Sequence, residues 1–297
     1  MKLATFVAPE GRPTVGVVQD DRIGEVRAFP SMLSLIEAGL PALKSLSLGK
    51  SHALKDVQLL APIPRPPRIR DFLCFELHVR QSRANRYLFG MGTERLDPAK
   101  VEIAKVWYER PVYYKGNPFS VVGHEAEVHW PSYSRIIDYE LEIGLVIGRG
   151  GKNLSRGQAL EHVFGYTIFN DFSARDEQTK EMAGSLGPGK GKDFDNGNAM
   201  GPCLVTADEI GDPYSLAMAV RVNGEEWGRG NSRDMHWKFE DCIAHASRSE
   251  TLHPGEFFGS GTVGNGCGLE QMRFLKPGDV VELEVERIGI LRNRVVR

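Results

Sequence analysis

Apolar and polar residues alternate with a period of two along much of this chain, the pattern of strands with one face in a core. LATFVA and TVGVVQ open the sequence as short strands, and DDRIGEVR adds a turn and a third. SMLSLIEAGLPALKSLSLG then shifts to a 3.6-residue period and predicts an amphipathic helix. Four prolines follow within APIPRPPRIRDF; they fix φ and push their predecessors to extended backbone, so this is a linker or a strand approach. The boundary falls near Pro62–Pro67, giving a small N-terminal α/β unit over residues 1–62 and a main domain over 63–297.

Residues 71–100 read as polar and helix-like, with Arg80, Arg83 and Arg86 spaced by three. From Val112 strands dominate: PVYYKG, EAEVHW, YELEIGLVIG, GYTIFN, CLVTAD, AMAVRVNG and DVVELEVERIG. Helical stretches interrupt them at SRGQALEHV, RDEQTKEM and HWKFEDCIAHAS. The fold class is α+β and β-rich, with a large, mostly antiparallel core.

Composition narrows the function classes. The chain has 297 residues with 37 basic and 39 acidic side chains, a net charge of −2, which lacks the basic excess of a nucleic-acid binder. No apolar run approaches the ~20 residues that span a bilayer, and MKLATFVAPEGRP turns polar without a cleavage signature. Cys74, Cys203, Cys242 and Cys267 lie far apart with no CxxC pair, which points to reduced thiols in a cytoplasm.

Three motifs fail their context tests. Gly259–Gly264 matches GxGxxG, yet HPGEFF precedes it and NGCGLE follows, without the strand and helix a dinucleotide site needs. His124 and His129 are five apart in an alternating segment, whereas a zinc helix needs four. GPGKGK at 187–192 lacks the P-loop spacing and its Ser/Thr.

The segment from Glu140 to Ile147 carries the chemistry. In a strand Glu140 and Glu142 share a face, and two adjacent carboxylates repel unless a proton or cation lies between them. Asp171 ends the apolar strand GYTIFND, where a third carboxylate can join them. Three carboxylates without a thiolate make a hard, oxygen-only site suited to magnesium, calcium or manganese.

At these residues the sequence resembles the fumarylacetoacetate hydrolase family. DYELEIGLVIG, GYTIFNDFSARDEQ, LGPGKGKDFDNGNAMGP, GSGTVG and LKPGDVVELEVERIGILRN match its signatures in order, over roughly residues 65–297. The resemblance implies a β-sandwich roll behind a small N-terminal domain, and a homodimer. It implies that Glu140, Glu142 and Asp171 ligate a divalent cation, magnesium before manganese or calcium, with Asp71 as an additional ligand. It makes His78 the catalytic histidine, Lys192 the substrate-polarising lysine and Gln178 a polar partner. Tyr114, Arg86 (as a carboxylate binder), Gly261 and Thr262 become substrate contacts. One departure stands out: small decarboxylase and acylpyruvase members carry a glutamate three residues after the histidine, where this chain has Gln81. Glu76 and Glu270 are the candidates to replace it, and sequence alone places neither.

The resulting expectation is a metal-dependent hydrolase that cleaves a C–C bond of a β-diketo acid or acylpyruvate. His78 would activate water, and Lys192 and Gln178 would stabilise the oxyanion. A 2-oxo acid lyase, decarboxylase or tautomerase is the alternative on the same fold, and a metal-binding scaffold without turnover is the alternative from another class. The partner would be a small 2-oxo or diketo acid, with neither nucleic acid nor membrane involved.

Overall fold

The computed structural model describes residues 1–9 and 11–297. The expected α+β, strand-rich architecture is what the chain adopts. A 12-stranded sheet runs through the molecule, and a five-stranded sheet packs against it.

The strands Lys2–Val7, Thr14–Gln19, Arg22–Val26 and Leu48–Ala53 form an antiparallel meander in chain order. This meander joins the large sheet through Lys2–Val7, which pairs with Asn198–Thr206. The order then continues through Val163–Asp171, Leu141–Ile147, Phe257–Gly259, Ile69–Phe72 and Tyr113–Gly116. Most pairs are antiparallel, but Phe257–Gly259 runs parallel to Ile69–Phe72. That parallel pair brings Ile69–Phe72 beside a strand from the C-terminal third of the chain.

Leu141, Ile143, Leu145 and Ile147 face the smaller sheet and share a core with Val220, Leu283 and Leu291. Val146, on the other face, packs with Phe164, Phe169, Phe257 and the N-terminal Leu35 and Ile36. Strands buried on both faces read as continuous apolar runs, and Leu141–Ile147 is buried throughout. Its second face carries Glu140 and Glu142 into that burial.

Two local expectations change. The long N-terminal helix is only Met32–Ala38; Gly39, at φ +79°, caps it, and Pro41 starts a separate 3₁₀ turn over Leu40–Ser45. The remainder, Leu48–Ala53, is an edge strand. The polar stretch 71–100 likewise holds one α-helix, Glu76–Ala84, with short 3₁₀ turns at Arg86–Phe89 and Pro98–Lys100.

Candidate active site

Sheet register assembles the carboxylates. Leu141 pairs with Asn170, so one step further brings Glu140 beside Asp171 at the strand ends. Gly144 pairs with Gly259, and Gly259 with Asp71, which carries Asp71 in from the other side. Gly259 has to be glycine: a Cβ there would lie 2.3 Å from Asp71 Oδ1 and 2.9 Å from Glu142 Oε2. Gly261, at φ +76°, turns its N–H toward the same group, donating to Glu142 Oε2 at 2.9 Å. The GxGxxG look-alike is therefore the backbone wall of a carboxylate cluster.

Asp71, Glu142 and Asp171 each offer an oxygen within 4.8 Å of the others, and all three are buried. Burial and the neighbouring Asp171 push Asp71 well above the ordinary carboxylate range. Burial and Asp71 do the same to Glu142. Among the described residues, Glu142 Oε1 and Asp171 Oδ1 are buried with no hydrogen-bond partner. Orphaned oxygens in a crowded, all-carboxylate cluster fit a hard divalent cation.

Glu140 has a different setting from the other members of the expected trio. Lys192 Nζ lies 2.6 Å from Glu140 Oε2, and Arg175 Nη1 lies 2.8 Å from Glu140 Oε1. Burial alone would raise Glu140, but Lys192 and Arg175 hold it below the usual range. Lys192 also lies 2.6 Å from Asp171 Oδ2 and donates to the Asp171 carbonyl at 3.0 Å. Burial would lower this lysine; Asp171 and Glu140 instead raise it. Two hydrogen bonds and an ion pair engage its ammonium, so in this arrangement it neutralises carboxylates.

Sequence reasoning missed Arg175, the first residue of the helix Arg175–Ala183. It is 2% exposed and donates from Nε to Asp138 Oδ2 at 2.8 Å. Asp138 in turn accepts the backbone N–H groups of Gly268 and Leu269 at 2.7 and 2.8 Å, fixing the turn that carries Glu270.

Glu270 is the partner that the sequence left unplaced. His78 Nδ1 lies 2.9 Å from Glu270 Oε1, and both residues are buried. Glu76 is spent on Arg80 and Tyr108. Gln81 faces away from the histidine: its Nε2 donates to Asn265 Oδ1 at 2.7 Å and its Oε1 accepts the Asn265 N–H at 3.1 Å. This pair docks the His78 helix onto the loop bearing Gly261 and Thr262.

A cavity of about 300 Å³ joins these groups, with His78, Lys192, Gln178, Tyr114, Arg86 and Thr262 among its lining. All of the metal-ligand, catalytic and substrate-contact candidates that the resemblance implies border it. Tyr114 donates to Asp171 Oδ2 at 2.7 Å, and Gln178 Oε1 accepts from Arg175 Nη1 at 3.0 Å. Arg80, the first of the arginine row, is tied to Glu76 and lies outside the lining, whereas Arg83 joins Arg86 there.

The raised carboxylates make a stability prediction. Between the ordinary carboxylate pKa of about 4 and their raised values, folded Asp71 and Glu142 hold protons that the unfolded chain has released. Metal-free protein therefore loses stability as pH rises through that window. A bound cation offsets the repulsion, so the rise in Tm given by magnesium over a chelator should be larger at about pH 8 than at about pH 5.5. A gain confined to the acidic sample would contradict this account of the cluster.

Comparison with known proteins identifies the family. Residues 69–296 match the family described as fumarylacetoacetate (FAA) hydrolase C-terminal, and residues 1–62 match one described as Rv2993c-like, N-terminal. The mitochondrial oxaloacetate tautomerase fahd2 of Xenopus laevis is 34% identical, over 100% of this chain and 90% of its own length. The oxaloacetate tautomerase YisK of Bacillus subtilis is 33% identical, over 82% of this chain and 75% of its own. Among solved structures, a fumarylacetoacetate hydrolase from Exiguobacterium antarcticum superposes with a TM-score of 0.79 at 27% identity, covering 100% and 99% of the two chains. A 2-hydroxyhepta-2,4-diene-1,7-dioate isomerase from Mycobacterium marinum gives 0.74 at 25% identity, covering 100% and 98%. On these matches and on its own motifs, the chain belongs to the fumarylacetoacetate hydrolase family.

Proposed function

We propose that this chain is an enzyme interconverting the keto and enol forms of a small 2-oxo acid, with oxaloacetate the first candidate. The observation that carries this reading is the His78–Glu270 pair at the edge of the carboxylate cluster. A carboxylate only accepts, so Nδ1 carries the ring proton and Nε2 keeps a basic lone pair. Such a nitrogen can take the proton from the carbon beside a carbonyl and deliver one to that carbonyl's oxygen, or run the transfer in reverse, and that carbon-to-oxygen transfer is the whole of tautomerisation. Cleavage by water needs the same base plus a nucleophile held in line. Hydrolysis came first from the sequence and tautomerisation second; the names of relatives aligned over most or all of this chain support reversing that order.

Asp71, Glu142 and Asp171, with Glu140 beside them, would hold the divalent cation, magnesium before manganese or calcium. When bound, it supplies a Lewis acid that polarises a carbonyl oxygen. Were Glu140 and Asp171 to hold the cation, Lys192 would have a donor free for the oxygen that gains charge when the carbon loses its proton. Arg86, Tyr114, Gln178, Gly261 and Thr262 would orient the acid in the cavity. A homodimer in the cytoplasm belongs to the same proposal, supported by the family resemblance and by four thiols that are free and buried.

The test follows the enol absorbance of freshly dissolved enol-oxaloacetate with enzyme and magnesium, against magnesium alone and against enzyme with chelator. Pyruvate is assayed in parallel. Faster loss of enol without pyruvate is the expected result. Pyruvate formation in step with that loss would make the protein a decarboxylase. An inert response to oxaloacetate, with cleavage of an acylpyruvate, would restore the hydrolase reading.

A further inference from the structure

Cys267 takes no part in the chemistry above, yet it stands beside the His78–Glu270 pair. Its Sγ, a ring nitrogen of His78 and a carboxylate oxygen of Glu270 all lie within 4.8 Å of one another. All three residues are buried, with Cys267 at 0%, Glu270 at 3% and His78 at 6% exposure. Cys267 is held against the cluster by two backbone links. It bridges Glu140, and its N–H donates to Glu270 Oε2 at 3.0 Å. Keto–enol exchange needs His78 and Glu270; it has no use for a sulfur.

We infer that Cys267, His78 and Glu270 form a second, inhibitory metal site for zinc-like ions, separate from the all-oxygen site of Asp71, Glu142 and Asp171. The two ligand sets differ in kind. Three carboxylates suit magnesium, manganese or calcium, whereas thiolate, imidazole and carboxylate together suit zinc or cobalt. Tetrahedral zinc holds such ligand atoms about 3.4–3.6 Å apart, so the trio closes on the ion through side-chain shifts of roughly 1 Å. Three protein ligands leave a fourth position for water or for a substrate oxygen.

Occupancy stops the base by a defined route. The ion displaces the contact between His78 Nδ1 and Glu270, and the thiol proton leaves to solvent as Sγ ligates. Imidazole bound through Nδ1 carries its proton on Nε2, the nitrogen that serves as base. The enzyme is then loaded with its activating cation but has no base.

The effect on turnover rests on the proposed role of His78; the binding of the ion does not, and the experiment keeps the two apart. Magnesium-saturated protein is titrated with cobalt(II), and the sulfur-to-cobalt charge-transfer absorbance is recorded. The wild type should develop the band, and Cys267→Ser and Cys267→Ala should lack it. Disturbing even a supporting residue of a zinc site costs roughly 10–100-fold in affinity, so either variant should need at least about tenfold more zinc for half-inhibition, at unchanged basal turnover. Absence of the band in the wild type overturns the site. Equal zinc sensitivity of the wild type and both folded variants also overturns it, and places inhibition at the carboxylates. Were the protein inert toward every 2-oxo acid tried, the band alone would decide.

Discussion

His78→Asn should lower turnover by about 10²–10⁴-fold, the usual contribution of a positioned general acid–base, while the fold and its response to magnesium persist. Asparagine retains a polar group near Glu270 but has no nitrogen that gains and loses a proton near neutral pH. Glu270→Gln separates orientation from charge. Its amide oxygen can still accept from His78 Nδ1, so the ring stays in place and the loss should be smaller than for His78→Asn. The readouts are steady-state loss of enol absorbance, circular dichroism and Tm with and without magnesium. A folded His78→Asn protein turning over near the wild-type rate would move the base elsewhere in the cavity. A Glu270→Gln protein as impaired as His78→Asn would mean that the carboxylate's charge matters as much as the base itself.

The site was legible in the sequence where it depends on local periodicity. The strand pattern from Glu140 to Ile147 put Glu140 and Glu142 on one face, and the apolar run before Asp171 put that residue at a strand end. Asp71 and Glu270 were different. Asp71 reaches the cluster through a parallel pairing with Phe257–Gly259, and Glu270 reaches His78 across 192 residues. Neither contact leaves a periodic trace in the chain. Family motifs supplied Asp71; they did not supply Glu270, because the position they point to is Gln81, which here holds a loop in place. The glycines of 259–264 fail the context test for a nucleotide loop, and their use, room for carboxylates, depends on the strand lying next to them. Gly39 and Pro41, by contrast, were visible stop signals inside the predicted N-terminal helix.

Arg175 was hidden for an opposite reason: RDEQTKEM looks like a solvated helix face, and most arginines in such a run face water. Its replacement should produce the largest loss of stability in this region. Arg175→Met leaves Asp138 and Glu140 buried without their guanidinium, and breaking a buried pair on one side costs about 3–5 kcal/mol. At roughly 2–4 °C per kcal/mol for chains near this size, Tm should fall by about 10 °C. Arg175→Lys should recover only part of this, since one ammonium cannot reproduce the fork that reaches both carboxylates. Adding Asp138→Asn to Arg175→Met removes one orphaned charge, so the double variant should be more stable than the summed single losses. Additive losses would mean that the two side chains act independently. Activity should fall together with stability, for a structural reason. Asp138 clamps the Gly268 and Leu269 N–H groups that set Glu270, while Glu140 borders the carboxylates proposed to hold the cation. Through one guanidinium the turn that orients the proposed base and the strand that presents the carboxylates are tied together, so loosening Arg175 disturbs both halves of the candidate site at once.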